Sequence, residues 1–542
     1  MKIRNLFLTV LFILSLNLNA GVNLKNGNFY ITYTDIIVPG GGHDLEAVRT
    51  YNSRATEMGW FGFGWGSDYE TYLTVGADGS VTVHENGSGA LTRFVPKNSV
   101  DSDKAVEKII AAMRKKTSVS QKVAKDLTKR LKNDAELRLA YSKKFNVKAS
   151  LADGTELFSN TRGLQKIKKV KKGFHRMYND GKVEMFSLAG KLTKIKDKHG
   201  YAIDISYDKV GNVETIKDSQ AKQLFFSWYN DGKVKHIWSA GDKKTHYKYS
   251  GKNLVWTKDV GGNVYEHAYD SNRNMTQIKY QDKSSLDIGY NKLQFVSSIK
   301  ARNGNTTAYK YGSDPKNPDL HYWTSVTKKN GSGKEFTNKY EYEIKVRPDG
   351  SRYTYRIATT VNKTTTETIY SECCSLPLKI TRGKHVTTFD YNEKGLLTKK
   401  ASTKGEFVEL KYHKKFNKIT RVVNNQGWTN FEYDKKGNLS KAMNDKGKQV
   451  LLIYDRKGRI IKMIDHNKKS KKKRILAFKY NAMGKPVEIA MDKVGKINVD
   501  YDNYGEIKKV NSKAGHKMAL QVTQAFQSLL GIVKPAGVNL SL

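Results

Sequence analysis

The sequence is poor in the residues that interrupt strands or cross-link chains. Only 8 of its 542 residues are proline and only 2 are cysteine, the adjacent Cys373 and Cys374. Two cysteines exclude a multi-disulfide framework, and without a neighbouring histidine they do not form a zinc site. In an oxidising compartment they can form a vicinal disulfide that makes a turn; otherwise they are free thiols, or one pairs with another molecule. We expect the disulfide.

Catalytic motifs are also absent. The sequence contains no GxSxG, P-loop, HExxH or CxxC pattern, and its 12 histidines include no pair at metal-ligand spacing. Asp500 and Asp502 flank Tyr501 at the end of a strand, whereas a glycosidase needs two carboxylates that face each other across a cleft. We therefore expect no enzymatic activity, no catalytic or metal-binding residue and no cofactor.

The only long apolar run stands at the start of the chain. Lys2 and Arg4 precede the apolar residues 6–16, and Leu18-Asn19-Ala20 places a small residue before Gly21. This pattern is typical of a secretory signal peptide, and the run is too short to span a bilayer comfortably. We expect export to the periplasm, the cell surface or the medium, with no transmembrane span in the mature chain.

The charge is strongly one-sided. The 96 Lys and Arg residues against 52 Asp and Glu give a net charge of +44, or +42 once Lys2 and Arg4 are removed. Such a charge attracts polyanions, although dispersed charge that keeps a sheet from self-association is the simpler explanation and the one we favour. The densest basic run is a candidate polyanion contact and also fits an exposed loop. It consists of Lys468, Lys469, Lys471, Lys472, Lys473 and Arg474.

What the sequence has in abundance is a repeat. It contains 31 Tyr and 44 Gly, and a tyrosine ends one short apolar strand after another. The first array has Tyr207, Tyr229, Tyr249, Tyr269, Tyr290 and Tyr311, and the second has Tyr391, Tyr412, Tyr433, Tyr454, Tyr480 and Tyr501. The steps are 20 to 22 residues long except for one of 26, which contains the basic run. We therefore place that insertion in a loop.

In the units that begin at Ile205, Phe431, Leu452 and Val499, the tyrosine is followed by Asp, two variable residues, Gly, and an aliphatic residue two positions further on. The Asp or Asn side chain can bond to the turn backbone, and Gly takes a positive φ at low cost, which predicts a type I turn closed by a glycine bulge. The predicted turn residues are Tyr207, Asp208 and Gly211; Tyr391, Asn392 and Gly395; Tyr433, Asp434 and Gly437; Tyr454, Asp455 and Gly458; and Tyr501, Asp502 and Gly505. A second turn follows about ten residues later. Each unit therefore adds two strands to one antiparallel sheet.

These Tyr-Asp/Asn-x-x-Gly-x-aliphatic units, from about 201 to 511, resemble those of the RHS/YD-repeat family, which includes bacterial polymorphic toxins, insecticidal toxin-complex shell components and teneurins. GVNLKNGNFYITYTDIIVPGGGHDLEAVRTYNS (21–53) and GWFGFGWG (59–66) resemble the β-rich module before the repeats in bacterial members. The resemblance implies a mostly β fold, in which an antiparallel repeat sheet spirals into a partial or closed shell. Self-cleaving members carry an Asp-Pro-x-Gly-Leu motif before a toxic domain. Asp314-Pro315 lacks the Gly-Leu, so we expect neither self-cleavage nor an attached toxin.

Two segments depart from the β pattern. Residues 101–150 carry 14 basic and 6 acidic residues, a net +8, and their apolar residues recur at helical spacing. They predict two helices separated by Thr117-Ser118, with Ser120 as the cap of the second. We favour a helical insertion that covers an opening or edge of the sheet over a polyanion-binding arm. Near the C-terminus, an apolar stripe that includes Phe526 and Leu529 predicts a helix that caps the sheet or docks a partner.

The predicted organisation is a signal peptide (1–20), an N-terminal β-rich RHS-type module (21–100), a basic helical insertion (101–150), a β-rich transition (151–200), a first array (201–333), an irregular β segment with the cysteine pair (334–385), a second array (386–511) and a C-terminal amphipathic helix and tail (512–542). We interpret the irregular segment as a longer hairpin that links the two arrays. We expect a non-enzymatic scaffold of the cell envelope or extracellular space that binds glycan, anionic envelope polymer or another cell surface. The alternative is a shell that encloses or chaperones a separately encoded toxin or other cargo protein. Nucleic acid is a less expected partner.

Overall fold

The computed structural model describes residues 20–39, 44–97, 100–159, 161–241, 243–331, 333–502 and 505–533. Residues 1–19 of the predicted signal peptide and the end of the predicted C-terminal tail therefore lie outside the described residues. The N-terminal module is a small sheet, followed by a 3₁₀ turn at Asp68–Glu70. Its strands are β1 (Ala20–Asn23), β2 (Asn28–Val38), β3 (Leu45–Asn52) and β6 (Trp65–Gly66), and β4 (Met58–Gly59) pairs with β5 (Gly62–Phe63).

A 12-stranded antiparallel sheet follows, in which each strand pairs with the next one along the chain. Its strands are β7 (Tyr72–Val75), β8 (Val81–Glu85), β9 (Ala90–Pro96), β10 (Glu156–Ser159), β11 (Lys166–Val170), β12 (Gly173–Met177), β13 (Val183–Ser187), β14 (Leu192–Lys196), β15 (Ala202–Tyr207), β16 (Val213–Asp218), β17 (Gln223–Trp228) and β18 (Val234–Trp238). Because β9 pairs with β10, the helical segment is an insertion between two adjacent strands.

A 24-stranded antiparallel sheet has the same order along the chain. Its first half contains β19 (His246–Ser250), β20 (Asn253–Lys258), β21 (Val264–Tyr269), β22 (Met275–Tyr280), β23 (Ser285–Tyr290), β24 (Val296–Lys300), β25 (Thr306–Ser313), β26 (His321–Lys329), β27 (Glu335–Val346), β28 (Arg352–Val361), β29 (Thr364–Tyr370) and β30 (Pro377–Arg382). Its second half contains β31 (His385–Tyr391), β32 (Leu397–Ser402), β33 (Phe407–Tyr412), β34 (Ile419–Asn424), β35 (Gly427–Tyr433), β36 (Leu439–Asn444), β37 (Lys448–Tyr454), β38 (Ile460–Asn467), β39 (Lys472–Tyr480), β40 (Pro486–Met491), β41 (Gly495–Tyr501) and β42 (Ile507–Ser512).

The two large sheets meet at Thr245. Its backbone N–H donates to the carbonyl of Ile237 at 2.9 Å, and its hydroxyl accepts from the Ile237 N–H at 2.8 Å. The strand order therefore runs from β18 into β19, but neither sheet closes on itself. The predicted mostly β fold is confirmed, with the sheets open.

Four helices occur among the described residues: α1 (Ser102–Lys116), α2 (Gln121–Asn133), α3 (Ala135–Phe145) and α4 (Gly515–Val533). The two helices predicted in the insertion are α1 and α2, and a third helix that was not predicted, α3, follows them directly. Asp134 has an extended backbone, and its side chain accepts from the N–H groups of Glu136 and Leu137, so it ends α2 and caps α3. Ser120 accepts from the Val123 N–H at the start of α2.

The repeat turn has a constant geometry, shown well by the unit at Tyr433. The Gly437 N–H donates to the Asp434 carbonyl at 2.9 Å, and the Asp434 carboxylate accepts from the N–H groups of Lys436 and Asn438 at 2.8 Å. Gly437 has φ +78°, and the strand register shifts by one residue at Tyr433. A residue with a side chain is strained at such a φ, so glycine is preferred there, although Arg273 and Gln294 hold the same turn position with φ +64° and +63°.

A tyrosine hydroxyl braces each unit to the one before it. In eleven units the hydroxyl donates to a backbone carbonyl of the preceding unit at 2.6–3.0 Å. The acceptor is the residue that follows the preceding turn, as in Tyr412 to Leu397 and Tyr454 to Leu439. The donors are Tyr207, Tyr249, Tyr269, Tyr290, Tyr311, Tyr391, Tyr412, Tyr433, Tyr454, Tyr480 and Tyr501. Each brace satisfies a polar hydroxyl on a largely apolar ring, which is what a partly buried tyrosine requires.

The structure corrects one member of the first array. Trp228, and not Tyr229, occupies the braced position, because its indole N–H donates to the Val213 carbonyl at 2.8 Å. Tyr229 takes the place that Asp or Asn holds elsewhere: its N–H donates to the Lys233 carbonyl, and its own carbonyl accepts from the Gly232 N–H. The step from Tyr207 to Trp228 is therefore 21 residues, like its neighbours.

The segment 334–385 forms β27 to β30, in which β27 and β28 make a long hairpin. All four strands pair continuously with their neighbours in the 24-stranded sheet. The strands β27 and β28 are 12 and 10 residues long, against about six in the repeat strands, so the 21-residue step lapses without a break in the sheet.

Later turns of the chain lie against earlier ones. The Asn417 amide donates to the Asn179 side chain at 3.1 Å, and a Cβ at Gly458 would lie within 2.7 Å of the His199 ring. Further along, the Lys485 ammonium lies 3.3 Å from the Asp44 carboxylate. These contacts join residues more than 230 positions apart, which shows that the sheet winds back beside its own beginning.

Strand register defines two faces of the sheet. Directly paired residues of antiparallel strands project to the same face, so the pairs can be followed from strand to strand. Ile216 pairs with Leu224 near the start, Tyr342 with Ile357 in the middle, and Ala442 with Val450 near the end. We call the face that carries these residues the inner face and the opposite one the outer face.

Candidate binding surface

The N-terminal module covers the inner face of β15 to β24. Phe29 and Ile31 of β2 belong to one core with inner-face residues such as Ile216, Ile237 and Ile278, and all five are fully buried. Burial of such side chains contributes roughly 1.5–3 kcal/mol each, so this contact is a main source of stability. The module thus fills the start of the spiral from within.

A buried ion pair lies in this contact. The Arg49 guanidinium donates to the Asp35 carboxylate at 2.7 Å and to the Thr257 hydroxyl at 3.1 Å, and the Tyr247 hydroxyl donates to the same carboxylate oxygen at 2.8 Å. The guanidinium also lies over the ring of Tyr33 at 4.1 Å. Two module residues are therefore bonded to two inner-face residues about 200 positions away.

Beside this pair lies the buried His267 of β21. Its ring centre lies 5.3 Å from that of Trp65 and 6.2 Å from that of Tyr33. Burial, followed by the positive charge of Arg49, lowers the pKa of the His267 ring well below its usual range. The imidazole is therefore neutral at physiological pH. The ring packs among aromatic side chains in the contact between the module and the inner face.

The helix α4 covers the inner face at the other end of the chain. Met518, Leu529 and Ile532 are buried in one core with Leu452 and Leu476 of the sheet. The predicted C-terminal helix thus lies on the sheet and not beyond its last strand, and the outward side of α4 keeps Leu520 and Leu530 exposed.

Between these two covers the inner face is open. We use the name open strip for fourteen of the inner-face side chains of β27 to β32. They are Tyr340, Tyr342, Ile357, Thr359, Thr366, Thr368, Tyr370, Ile380, Arg382, His385, Thr387, Phe389, Lys400 and Ser402. Only Tyr342 among them is buried, and the others are half-buried or exposed. Its border is the tip of the β1–β2 hairpin, where the Leu24 carbonyl accepts from the Thr324 hydroxyl at 2.6 Å.

The open strip is positive. It carries Arg382 and Lys400, together with His385, and none of its residues is acidic. The outer face of the same strands carries both signs, as in the cluster of Arg356 with Glu343 and Glu367. The strip therefore presents aromatic rings, threonine hydroxyls and cations on a surface that the described chain leaves uncovered. The sequence alone does not reveal the open strip, because its limits depend on where distant segments of the chain pack.

The other predicted turn residues have the geometry of the Tyr433 unit. Gly211, Gly395, Gly458 and Gly505 have φ between +73° and +98°. The side chains of Asp208, Asn392, Asp455 and Asp502 each accept from the N–H of the residue four positions later, at 2.8–3.0 Å. These residues build the sheet at the ends of the strands, and Tyr391, which ends β31 on the inner face, borders the open strip.

The structure joins Cys373 and Cys374 in a disulfide within the turn between β29 and β30. The turn lies against Gly163 of the β10–β11 turn, where a Cβ would be 3.7 Å from the Cys374 sulfur. In the same turn the Leu376 N–H donates to the Ser371 hydroxyl at 3.0 Å. The pair thus lies at a contact between two turns of the spiral.

The basic run is not wholly a loop. Lys468, Lys469 and Lys471 lie in the turn between β38 and β39, whereas Lys472, Lys473 and Arg474 belong to β39. The five lysines are exposed. Arg474 is on the inner face, where it bonds to Asp465 at 2.5 Å and to Gln521 and Gln524 of α4 at 2.9 Å. Arg474 is therefore a contact between sheet and helix, which separates it from the exposed lysines.

A cavity of about 790 Å³ lies where the module meets the repeat turns. Trp60, Glu70, Tyr207, Asp231 and Lys233 are among its lining residues. Both carboxylate oxygens of Glu70 accept backbone N–H groups, from Trp60 at 2.7 Å and Ser67 at 2.8 Å, and burial raises the pKa of this carboxyl to about 8. Glu70 thus fixes the loop that forms the wall of the cavity.

Comparison with known proteins gives a partial match. Residues 19–94 match a family model described as a domain of unknown function, DUF6531. No curated protein matches the chain. Among solved structures, the chain is similar to "TcdB2-TccC3-TEV" (TM-score 0.39, 10% identity) and "TcdB2-TccC3 without hypervariable C-terminal region" (0.40, 9%), covering 94% of this chain and 30% of each of those chains. A Tc holotoxin pore of Photorhabdus luminescens follows, with TM-score 0.32, 11% identity and coverage of 89% and 28%. The chain thus spans about a third of the length of these solved chains.

Within the described ranges, no helix combines the length and the apolar character that crossing a bilayer requires.

Proposed function

We propose that this chain is an exported, non-enzymatic protein of the RHS/YD-repeat type, whose open strip binds an extended anionic glycan of the cell envelope or its surroundings. The observation that carries the proposal is the strip itself, a stretch of inner face with Arg382 and Lys400 and without acidic residues. The module and α4 cover the inner face on either side of it. A groove lined by one sign of charge concentrates ligands of the opposite sign.

The chemistry of the strip supports a glycan in particular. Sugars present apolar C–H faces and hydroxyl groups together, and uronic acids add carboxylates. Tyr370 and Phe389 offer aromatic surface for the C–H faces, Thr366 and Thr368 offer hydroxyls, and the cations suit the carboxylates. Because the strip crosses six strands spaced about 4.8 Å apart, it is long enough for several sugar units.

A binding assay with matched variants tests the proposal. The mature protein is titrated with alginate, a polyuronate, and with neutral dextran, at low and high salt. We expect alginate to bind in a salt-sensitive manner and the double variant Arg382→Gln/Lys400→Gln to bind roughly tenfold more weakly. The control is Lys379→Gln/Lys399→Gln, which removes the same charge from the outer face of the same two strands.

The outcomes separate a site from diffuse charge. Equal loss in both double variants means that the net charge of +44 attracts the polymer and that the strip has no special role. Dextran binding equal to alginate binding would contradict the role of the cations. A protein that binds neither polymer, at low salt and with an intact fold, contradicts the proposal as a whole.

The second candidate is a shell for a separately encoded cargo protein. The same open strip favours it, because it is the part of the inner face that a cargo chain can reach. A mild-crosslinking pull-down of the tagged full-length protein from its own cells decides between the two. One protein recovered stoichiometrically supports the cargo shell, whereas polysaccharide that is lost at high salt supports glycan binding.

A further inference from the structure

The outer face carries a cluster that the open strip does not use. His321 of β26 pairs in register with Glu343 of β27, and Glu341 lies two residues along the same strand, so the three side chains project together. The His321 Nε2 atom lies 3.0 Å from a Glu341 carboxylate oxygen. One ligand atom from each residue lies within 4.8 Å of the other two. All three residues are half-buried and stand on strands of nine and twelve residues.

These separations suit a transition-metal ion. A zinc ion binds histidine nitrogen at about 2.0–2.1 Å and carboxylate oxygen at about 2.0–2.2 Å, which places two ligand atoms on one ion roughly 3 Å apart. The nitrogen and oxygen of His321 and Glu341 already have this separation. A carboxylate oxygen of Glu343 lies within 4.8 Å of both atoms and supplies the third ligand.

The second ring nitrogen of His321 also has the kind of partner that metal-binding histidines have. Its Nδ1 atom faces the Asp314 carboxylate at 3.5 Å. A carboxylate behind the second nitrogen fixes the tautomer and the ring orientation of metal-binding histidines. Asp314 lies in the turn between β25 and β26, outside the two strands that supply the three ligand atoms.

The local charge differs in sign from that of the whole chain. Asp314, Glu341, Glu343 and Glu367 surround this position, against the cations Lys339 and Arg356. Arg356 bonds to Glu343 at 2.7 Å and to Glu367 at 2.6 Å, and its guanidinium lies 3.4 Å from the Glu341 oxygen that faces His321. A metal ion would displace the guanidinium from Glu341 and Glu343, and Arg356 would keep Glu367 as a partner.

We propose that His321, Glu341 and Glu343 form a binding site for a divalent transition-metal ion such as Zn²⁺ on the outer face. The sequence does not reveal it, because the histidine is 20 and 22 positions from the two glutamates and only strand pairing brings them together. The site is separate from the open strip, which lies on the opposite face.

Calorimetric titration of the untagged full-length protein with Zn²⁺ tests this site. We expect one site whose affinity falls at least tenfold in His321→Ala and in Glu343→Gln. Arg356→Gln removes the competing cation, so we expect it to tighten Zn²⁺ binding several-fold. Glu335→Gln is the matched control, because it removes one carboxylate from the same face of β27 outside the cluster.

The gain in Arg356→Gln makes the test decisive, since damage to the fold weakens binding and does not strengthen it. Circular dichroism of each variant shows that the β structure is retained. An absence of Zn²⁺ binding in the parent protein, an unchanged affinity in His321→Ala, or weaker binding in Arg356→Gln overturns the proposal.

Discussion

Two stretches of one sheet, β15 to β24 and β27 to β32, share hairpin connections and an inner face but differ in what that face carries. The first places fully buried aliphatic residues such as Ile216 and Ile278 under the N-terminal module. The second places threonine, tyrosine and cations on a surface that remains half-exposed. The two stretches thus have the same backbone arrangement, and the inner-face side chains determine whether a stretch is part of the core or of the surface.

The largest expected difference between the two stretches is in stability. Ile278→Ala removes a fully buried side chain from the first, and we expect a loss of about 2–5 kcal/mol in the free energy of unfolding. Ile380→Ala makes the same chemical change at a half-exposed position of the open strip, where we expect roughly 1 kcal/mol or less. Urea unfolding followed by circular dichroism measures both.

Equal losses in the two variants would break the comparison, because they would mean that something covers Ile380 in solution. A cover supplied by a second copy would also make the loss depend on protein concentration.

A smaller effect, specific to the covered stretch, is its response to acid. The pKa of His267 is lowered mainly by burial, so this ring stays neutral in the folded state while it gains a proton below about pH 6.5 in the unfolded state. The unfolded state then binds more protons, and stability falls as the pH falls, by up to about 1.4 kcal/mol per pH unit. We expect the free energy of unfolding to decline more steeply between pH 6.5 and 5 in the parent protein than in His267→Phe.

Parallel curves for the two proteins would show that His267 is not held neutral by the module. His84, whose pKa is lowered to about 4 mainly by burial, titrates in the same direction and is present in both proteins, so its contribution cancels in the difference.

The smallest expected effect concerns the tyrosine brace, which occurs along the whole repeat and is tested here in β37, outside both stretches. Tyr454→Phe removes the hydroxyl that donates to the Leu439 carbonyl and keeps the ring, so we expect a loss of about 1 kcal/mol. Tyr355→Phe in β28, outside the repeat turns, is the control, with an expected change within about 0.5 kcal/mol. Thermal unfolding of both variants suffices, and an equal shift in the two would show that the brace contributes nothing of its own.

Much of the fold could be predicted from the sequence, because the repeat is a local property. Tyr433, Asp434 and Gly437 lie within five residues, and the turn that they form needs no distant partner. The errors arose where a local pattern was ambiguous. Trp228 and Tyr229 are adjacent aromatic residues, and only the strand register decides which of them is braced.

The candidate surface could not be predicted in the same way. Arg49 and Thr257, which anchor the module, are 208 positions apart. The open strip exists because the module reaches β27 and β28 only at the β1–β2 tip, where the Lys25 ammonium lies 5.8 Å from the centre of the Tyr342 ring and bonds to the Thr354 hydroxyl. The sequence of the strands β27 to β32 does not contain that information. The repeat nevertheless contains one regularity that indicates contacts between units. Each tyrosine lies about fifteen residues after the carbonyl that accepts its hydroxyl hydrogen bond.

One unit departs from that spacing, and it shows how the scaffold tolerates change. In the unit with the longer step, the Tyr480 hydroxyl still donates to the Ile460 carbonyl at 2.7 Å, although 20 residues separate them. The additional residues lengthen β38 and β39 and their turn at 468–471, while the neighbouring strands keep their pairing. For protein engineering, this turn is a permissive insertion point, at which a foreign peptide can be displayed while the braces on either side maintain the frame.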